Sequence, residues 1–273
     1  MATMKVSMLR GVGQVDVEER SVPEPAADEV LVEVGSVGMC GSDVHYYEHG
    51  RIGPYAVDSP LILGHEAGGV VAAVGGEVTS LQVGQRVSIE PGVPCRSCRQ
   101  SLAGRYNLCP DVPFFATPPH DGAFAEFVAM LAAFVYPSRG ASATTRRVCW
   151  NPCRSGVWAC LRGRLAPGST VLVTGAAPIG LVAGQTARAY GADTVTVTDV
   201  SQHRLSLAEQ LGLPTTSSGC LRLGANSLAD RRPPDGGGGS PWPTPRATSS
   251  VCCAARPSAP TLTRTSSADP PRP

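Results

Sequence analysis

Aromatic residues and charge of a single sign are both scarce in this 273-residue chain. Phe, Tyr and Trp make up 5% of it, and 23 Lys and Arg nearly cancel 22 Asp and Glu, leaving a formal charge of +1. A near-neutral chain has no field with which to hold a polyanion, so nucleic acid is not an expected partner. Long apolar runs are missing too. The opening MATMKVSMLRG has no apolar signal core, and the longest apolar stretch, VLVTGAAPIGLVAG, is too short and too broken by Gly and Pro to span a bilayer. No membrane span and a cytoplasmic location are therefore expected. Cysteine, by contrast, is plentiful: ten residues, which in a cytoplasmic chain point to metal or thiol chemistry rather than to disulfides.

The pattern changes along the chain. Residues 1–140 contain period-two runs such as EVLVEV and QRVSIE bounded by Gly and Pro, the signature of a β-rich half. Residues 157–212 read as β-α-β: the strand TVLVTG, a glycine turn, a helical stretch, the strand TVTVTDV, and a second helix with Ser201 as its N-cap. The fold class is thus α/β. Between the halves, 141–156 is an anomalous connector that includes the basic, cysteine-rich RRVCWNPCRSG. Residues 213–273 are rich in Pro, Gly, Ser, Thr and Arg, a composition that cannot repay chain entropy, and are expected to be disordered.

Three clusters carry chemistry. In GMCGSDVHYY and GHEAGGVV, Cys40 and the pair His65–Glu66 offer thiolate, imidazole and carboxylate, a set that suits a catalytic zinc ion with its fourth position open. The alternative is a buried cysteine beside a structural histidine. In CRSCRQSLAGRYNLC, Cys95, Cys98 and Cys109 supply three of the four thiolates of a closed zinc site, with Ser101 where a fourth would stand. Either this loop is metal-free and held by hydrogen bonds, as an incomplete ligand set favours, or it binds zinc weakly with water. In VTGAAPIG, a glycine turn between strand and helix lets the backbone approach a pyrophosphate, and an acid at the end of the next strand accepts from ribose hydroxyls. Gly175, Pro178, Ile179, Gly180, Asp199 and Arg204 are the candidate nucleotide-binding residues. The carboxylate favours NAD over NADP, whereas Ala177 stands where a second glycine would keep a methyl away from the phosphates.

Taken together and in this order, CGSDVHYYEHGRIG, LILGHEAGGVV, GRYNLCPDVPFFATPPHDGAFAEF and VLVTGAAPIGL resemble the medium-chain zinc dehydrogenases, in particular the sorbitol and xylitol dehydrogenase branch. The resemblance covers roughly residues 4–137 and 156–212. It implies a GroES-like catalytic domain, an incomplete Rossmann domain, zinc on Cys40, His65 and Glu66, and oxidation of a polyol to a ketose with NAD. Ser42 and His45 would begin a proton relay, and Tyr46, Phe114 and Phe115 would line the substrate pocket. For these aromatics core packing is an equal alternative. Another secondary alcohol, an aldose or threonine is a second substrate reading, and a non-catalytic zinc- or NAD-binding remnant a third.

The family usually carries an acid just before a segment like VWAC, where this chain has WNPCRSGVWAC. Back-translation gives Leu-Glu in a shifted frame and permits Pro after it, because the last G of the single Trp codon and the AA that opens an Asn codon make GAA. Residues from about 138 to 155 are therefore expected to be an out-of-frame segment. Asn151 then replaces a carboxylate near the metal, which lowers the expected metal affinity. A second shift after about Leu213 would end the parallel sheet at two strands, and a family-type oligomer is not expected.

Overall fold

The computed structural model describes residues 2–138 and 150–216. The expected out-of-frame stretch up to residue 149 and the tail from residue 217 lie outside the described residues. The chain divides into two compact units, with the boundary after Arg154.

The first unit is β-rich, as its period-two runs require. Strands β1 (Thr3–Gly11) and β2 (Gln14–Ser21) form an antiparallel hairpin, extended on the other side of β1 by the short β6 (Leu61–Ile62). β2 is an exposed edge, and its Asp16 and Glu18 pair with Arg10 while Glu18 also meets Arg20 at 3.0 Å. Charge along an edge discourages pairing with a second chain. The larger sheet is antiparallel, in the order β10 (Val135–Pro137), β8 (Arg86–Ile89), β7 (Glu66–Val74), β3 (Glu29–Gly38), β9 (Phe127–Leu131). A minor hairpin, β4 (Arg51–Ile52) with β5 (Tyr55–Ala56), completes the strands of this unit.

β3 sits between β7 and β9, and its Val30, Leu31 and Val32 are all buried. Val30 and Val32 meet Val71, Val87, Ile89, Val128 and Met130 in the largest apolar cluster. β3 and β7 approach so closely that a Cβ on Gly69 would lie 2.0 Å from the Glu33 carbonyl oxygen. Two helical pieces leave this frame. α1 (Gly41–His49) follows β3 directly and ends at Gly50 in the left-handed conformation, and α2 (Arg99–Leu102) is a single turn inside the cysteine loop.

The second unit alternates helix and strand. From Ser155 on, α3 (Trp150–Arg162) belongs to it, followed by β11 (Thr170–Thr174), α4 (Pro178–Ala189), β12 (Thr194–Thr198), α5 (Gln202–Gln210) and β13 (Thr215–Thr216). Its sheet is parallel, in the order β11–β12–β13. Val171, Val173, Val195 and Val197 pack on Cys160 of α3, Leu181 and Ala187 of α4 and Ala208 of α5. Gly156 and Gly184 allow close packing, since a Cβ there would stand 2.7 Å from Thr186 Oγ1 and 3.1 Å from Leu213 Cδ1 respectively. Ser201 caps α5 by accepting from the Arg204 N–H at 3.5 Å, as its position predicts.

Of the anomalous connector expected over 141–156, residues 150–156 form the first turns of α3. Pro152 is tolerated because the first turn has no carbonyl waiting for its missing N–H. One expectation is corrected: the sheet does not stop at two strands. Leu213 is fully buried, the Val197 N–H donates to the Pro214 carbonyl at 2.8 Å, and Thr215 and Thr216 align with Val197 and Thr198 as a short third parallel strand.

Candidate metal and nucleotide sites

The end of β3, the start of α1 and the start of β7 converge in the first unit. Gly38, the last residue of β3, pairs with Glu66, the first of β7, and Cys40 is the N-cap of α1. As a result Cys40, His65 and Glu66 come together, with one ligand atom from each lying within 4.8 Å of the others. These are the residues the sequence singles out. Gly38 leaves the room they need, because a Cβ there would be 2.4 Å from Glu66 Oε2.

The residue that aligns the three was not singled out by sequence. Asp43, 3% exposed, accepts from the Cys40 N–H at 2.9 Å through Oδ2 and from the Gly64 N–H at 2.9 Å through Oδ1. Its Oδ1 also lies 3.8 Å from His65 Nδ1. A carboxylate at the N3 position of a helix that reaches back to the cap is one half of a capping box, and that spacing was the available signal. Gly64 takes a positive φ of 88°, and the Gly122 backbone crosses so near that a Cβ on Gly122 would be 2.3 Å from the Gly64 carbonyl oxygen.

The three groups polarise one another. The Cys40 thiol is held below its usual range by a hydrogen bond with His65, aided by Ser42 and opposed by burial. His65 loses basicity to burial but gains more from Cys40 and from the charges of Asp43 and Glu66, so its net shift is upward. Burial raises Glu66. A soft thiolate, an imidazole and a carboxylate brought together, with space kept by a glycine, fit a zinc ion.

The surrounding candidates separate. Ser42 hydrogen-bonds to Cys40, and the His45 ring stacks on His49 at 4.4 Å between centroids. Phe114 lies against His65, ring centroids 5.6 Å apart, while Phe115 packs on the large apolar cluster. Tyr46 is 3% exposed among Leu9, Leu61, Leu63 and Ala116, with its hydroxyl partnered by Thr117. For Tyr46 and Phe115 the core alternative describes their surroundings. An apolar cavity of about 310 Å³ is lined by Leu9, Val15, Met39, Val44, Tyr47 and Phe124, with none of Cys40, His65 or Glu66 on its wall.

In the cysteine loop, Cys95, Cys98 and Cys109 also place their sulfurs within 4.8 Å of one another. The Cys98 N–H donates to Cys95 Sγ at 3.2 Å, the Ser101 N–H to Cys98 Sγ at 3.4 Å, and the Cys95 N–H to Cys109 Sγ at 3.4 Å. The Cys95 thiol is lowered to about 6 by the Ser97 backbone amide, the Ser97 hydroxyl and the Cys98 amide. None of the three is in a disulfide.

Behind this loop, Glu90 is a buried carboxylate, 7% exposed, that accepts from the Tyr136 hydroxyl at 2.9 Å, the Tyr106 hydroxyl at 3.2 Å and the Arg154 guanidinium. Sequence reasoning missed this group, since its members are 64 positions apart at the extreme. Asn151 lies in the first turn of α3 and is half-buried.

In the second unit, Gly175 has φ 99° and a Cβ on Gly180 would be 1.8 Å from the Gly175 carbonyl oxygen, so the turn demands glycine at both positions. Ala177 caps α4 with an extended backbone (φ −75°, ψ 172°) and offers no side-chain hydrogen bond to it; Pro178 and Ile179 begin the helix. A helix start of this kind presents backbone N–H groups to an anion. Asp199, however, is occupied. Its side chain is 4% exposed, Oδ2 accepts from the Ala176 N–H at 2.7 Å, Oδ1 accepts from the Ser201 N–H at 2.8 Å, and Arg204 stands 3.7 Å away. The turn fits a dinucleotide; the acid, as placed, clamps the turn to the end of β12.

Among the described residues no helix is long and apolar enough to cross a membrane. Residues 26–140 match the alcohol dehydrogenase GroES-like domain. The chain is 45% identical over 209 residues to the sorbitol dehydrogenase of Bacillus subtilis (strain 168), covering 77% of this chain and 59% of that protein. It is 46% identical over 205 residues to the sorbitol dehydrogenase of Macaca fascicularis, covering 75% and 57% respectively. A crystal structure of a short chain alcohol dehydrogenase from E. coli CFT073, complexed with cofactor NADH, superposes with a TM-score of 0.74 at 32% identity, over 82% of this chain and 66% of that one. The chain thus spans less than two thirds of the length of these relatives.

Proposed function

We propose that the chain is a medium-chain zinc-dependent dehydrogenase, as its GroES-like match and its identity to sorbitol dehydrogenases support, and that it oxidises a polyol of the sorbitol or xylitol type to a ketose with NAD. The observation that carries this is the convergence of Cys40, His65 and Glu66 within 4.8 Å. Zinc bound there would lower the pKa of the substrate hydroxyl, and NAD bound at the glycine turn would accept the hydrogen of the carbinol carbon with its electron pair.

The chain's own residues do the rest. The hydrogen bonds from His65 and Ser42 that hold the Cys40 thiol below its usual range favour its entry as a thiolate. Asp43 fixes the peptide before His65 and the amide of Cys40, so that two of the three ligands are oriented by one buried carboxylate. Ser42 Oγ and the imidazole of His45 carry the hydroxyl proton away, and the half-buried His45 is stacked on the exposed His49. Phe114 excludes water from one side of His65. In the second unit, Gly175 and Gly180 let the backbone approach a pyrophosphate, with the amides at Ile179 and Gly180 at the start of α4 facing it.

A second reading rests on Asp199. Each of its oxygens already accepts a backbone N–H, leaving one lone pair apiece for a ribose hydroxyl, so the alternative is a zinc-binding chain that uses the nucleotide weakly. The two separate in one experiment: zinc per chain on the purified protein, together with NADH formation followed at 340 nm with sorbitol, xylitol and a simple secondary alcohol. About one zinc at the Cys40 group with polyol-dependent NADH supports the dehydrogenase. Zinc without turnover supports the second reading, and a chain that holds no zinc at Cys40 rejects both.

A further inference from the structure

A closed zinc site wants four donors, and in the cysteine loop the fourth corner is filled by a hydroxyl. Ser101 Oγ lies 3.2 Å from Cys98 Sγ and 3.8 Å from Cys95 Sγ. A neutral hydroxyl offers zinc neither the charge nor the softness of a thiolate, so this donor set does not fit a structural zinc ion. What the loop does offer is sulfur in threes. Each of the three sulfur atoms accepts one main-chain N–H, from Cys98, Ser101 and Cys95 in turn, which aims the thiols without any metal. All three lie within 4.8 Å of one another.

We propose that Cys95, Cys98 and Cys109 form a three-thiolate site for a soft ion satisfied by three sulfur ligands, the class of trivalent arsenic and copper(I), and that zinc is held there poorly. Soft ligands select soft ions, and an ion that needs no fourth donor loses nothing to the serine. Arsenous acid serves as the probe, because its chemistry balances with the thiols alone. Three S–H groups replace three As–OH groups, three As–S bonds form, and three waters leave. Arsenic stays trivalent, so no oxidant or reductant is required.

The test uses the full chain with Cys252→Ser and Cys253→Ser, which removes an adjacent pair of thiols that would compete for the reagent. The protein is kept reduced with a phosphine and titrated with arsenite, reading the sulfur-to-arsenic absorbance and the loss of reactive thiols. One equivalent is expected to consume three thiols. Cys109→Ser is expected to weaken arsenite by more than about tenfold, the lower end of what even an outer ligand shell contributes to a metal site. Because Cys109 is buried, Cys95→Ser at a half-buried position serves alongside it and should weaken arsenite to a similar extent. Ser101→Cys should leave arsenite binding nearly unchanged and retain one more zinc per chain after dialysis than the parent does. Arsenite affinity that survives either cysteine substitution in a folded chain overturns the proposal, as does a parent that retains as much zinc as Ser101→Cys.

Discussion

The Gly64 amide donates to the Asp43 carboxylate at 2.9 Å across 21 positions of sequence, and this bond sets His65 in register with Cys40. The other oxygen of Asp43 holds the Cys40 amide at the same distance. One buried side chain therefore indexes two ligands that lie on different elements.

Replacing it should cost both stability and metal. In Asp43→Ala the Gly64 and Cys40 amides lose their acceptor, for an expected destabilisation of about 2 to 3 kcal/mol. Zinc affinity should fall by about ten- to a hundredfold, as for other groups that orient ligands. Asp43→Asn keeps one acceptor oxygen and should fall between. Thermal unfolding and zinc retention on the two variants check this; an Ala variant that keeps its zinc would remove Asp43 from the site.

Gly38→Ala should separate metal from fold. The new Cβ would meet the Glu66 side chain, 2.4 Å from Oε2 and 3.1 Å from Cβ; the carboxylate can swing aside and the Cβ contact asks for a shift of a few tenths of an ångström. The unfolding temperature is expected to change little while zinc affinity drops by about tenfold or more. Equal loss of both would mean that the β3–β7 pairing, rather than Glu66, had given way.

Asp199 makes the second unit acid-sensitive. Burial opposes its ionisation, but the Ser201 and Ala176 amides and Arg204 more than compensate, so its folded pKa lies below the ordinary aspartate value. A group depressed on folding contributes stability that is present above the unfolded pKa, about 3.9, and is lost as pH falls through the folded value. Urea midpoints measured from pH 5 downward should decline more steeply for the parent than for Asp199→Asn. Parallel curves would show that the carboxylate is not clamped in solution.

The Glu90 cluster should respond asymmetrically. Arg154 has a side chain 43% exposed, so Arg154→Ala should cost about 1 kcal/mol or less. Glu90 is buried, and Glu90→Ala strands the Tyr106 and Tyr136 hydroxyls as well as the guanidinium, for about 2 to 3 kcal/mol. Denaturant unfolding of both variants decides; equal costs would mean that the arginine, not the carboxylate, organises the group.

Much of this was legible in sequence because it depends on residue type at fixed offsets. Cys40 beside a glycine, His65 next to Glu66, the CxxC with a distant third cysteine, and the glycine turn between strand and helix are local patterns, and the structure brings each set together. Asp43 was overlooked because its partners are backbone amides, which no side-chain spacing advertises. Asp199 was read as a ribose acceptor from its place at a strand end; its bonds to the Ala176 and Ser201 amides were not legible, because they depend on how the neighbouring turn folds over it. β13 escaped because two threonines carry no periodicity, and its existence depends on Leu213 filling the core beside it. Tyr46 and Phe115 illustrate the same limit: an aromatic ring looks alike in sequence whether it lines a pocket or packs on a core.

The two close-packed glycines would also age differently under relaxed selection. At Gly180 the obstacle to a side chain is another residue's backbone, 1.8 Å away, so any substitution strikes the framework itself. At Gly38 the three nearest obstacles all belong to the Glu66 side chain, the closest being a carboxylate oxygen whose place matters only while an ion must be bound. A lineage that kept the fold but abandoned the chemistry would go on purging variants at Gly180 and stop purging them at Gly38. Population variation at these two codons would therefore date the loss of the reaction separately from the loss of the fold.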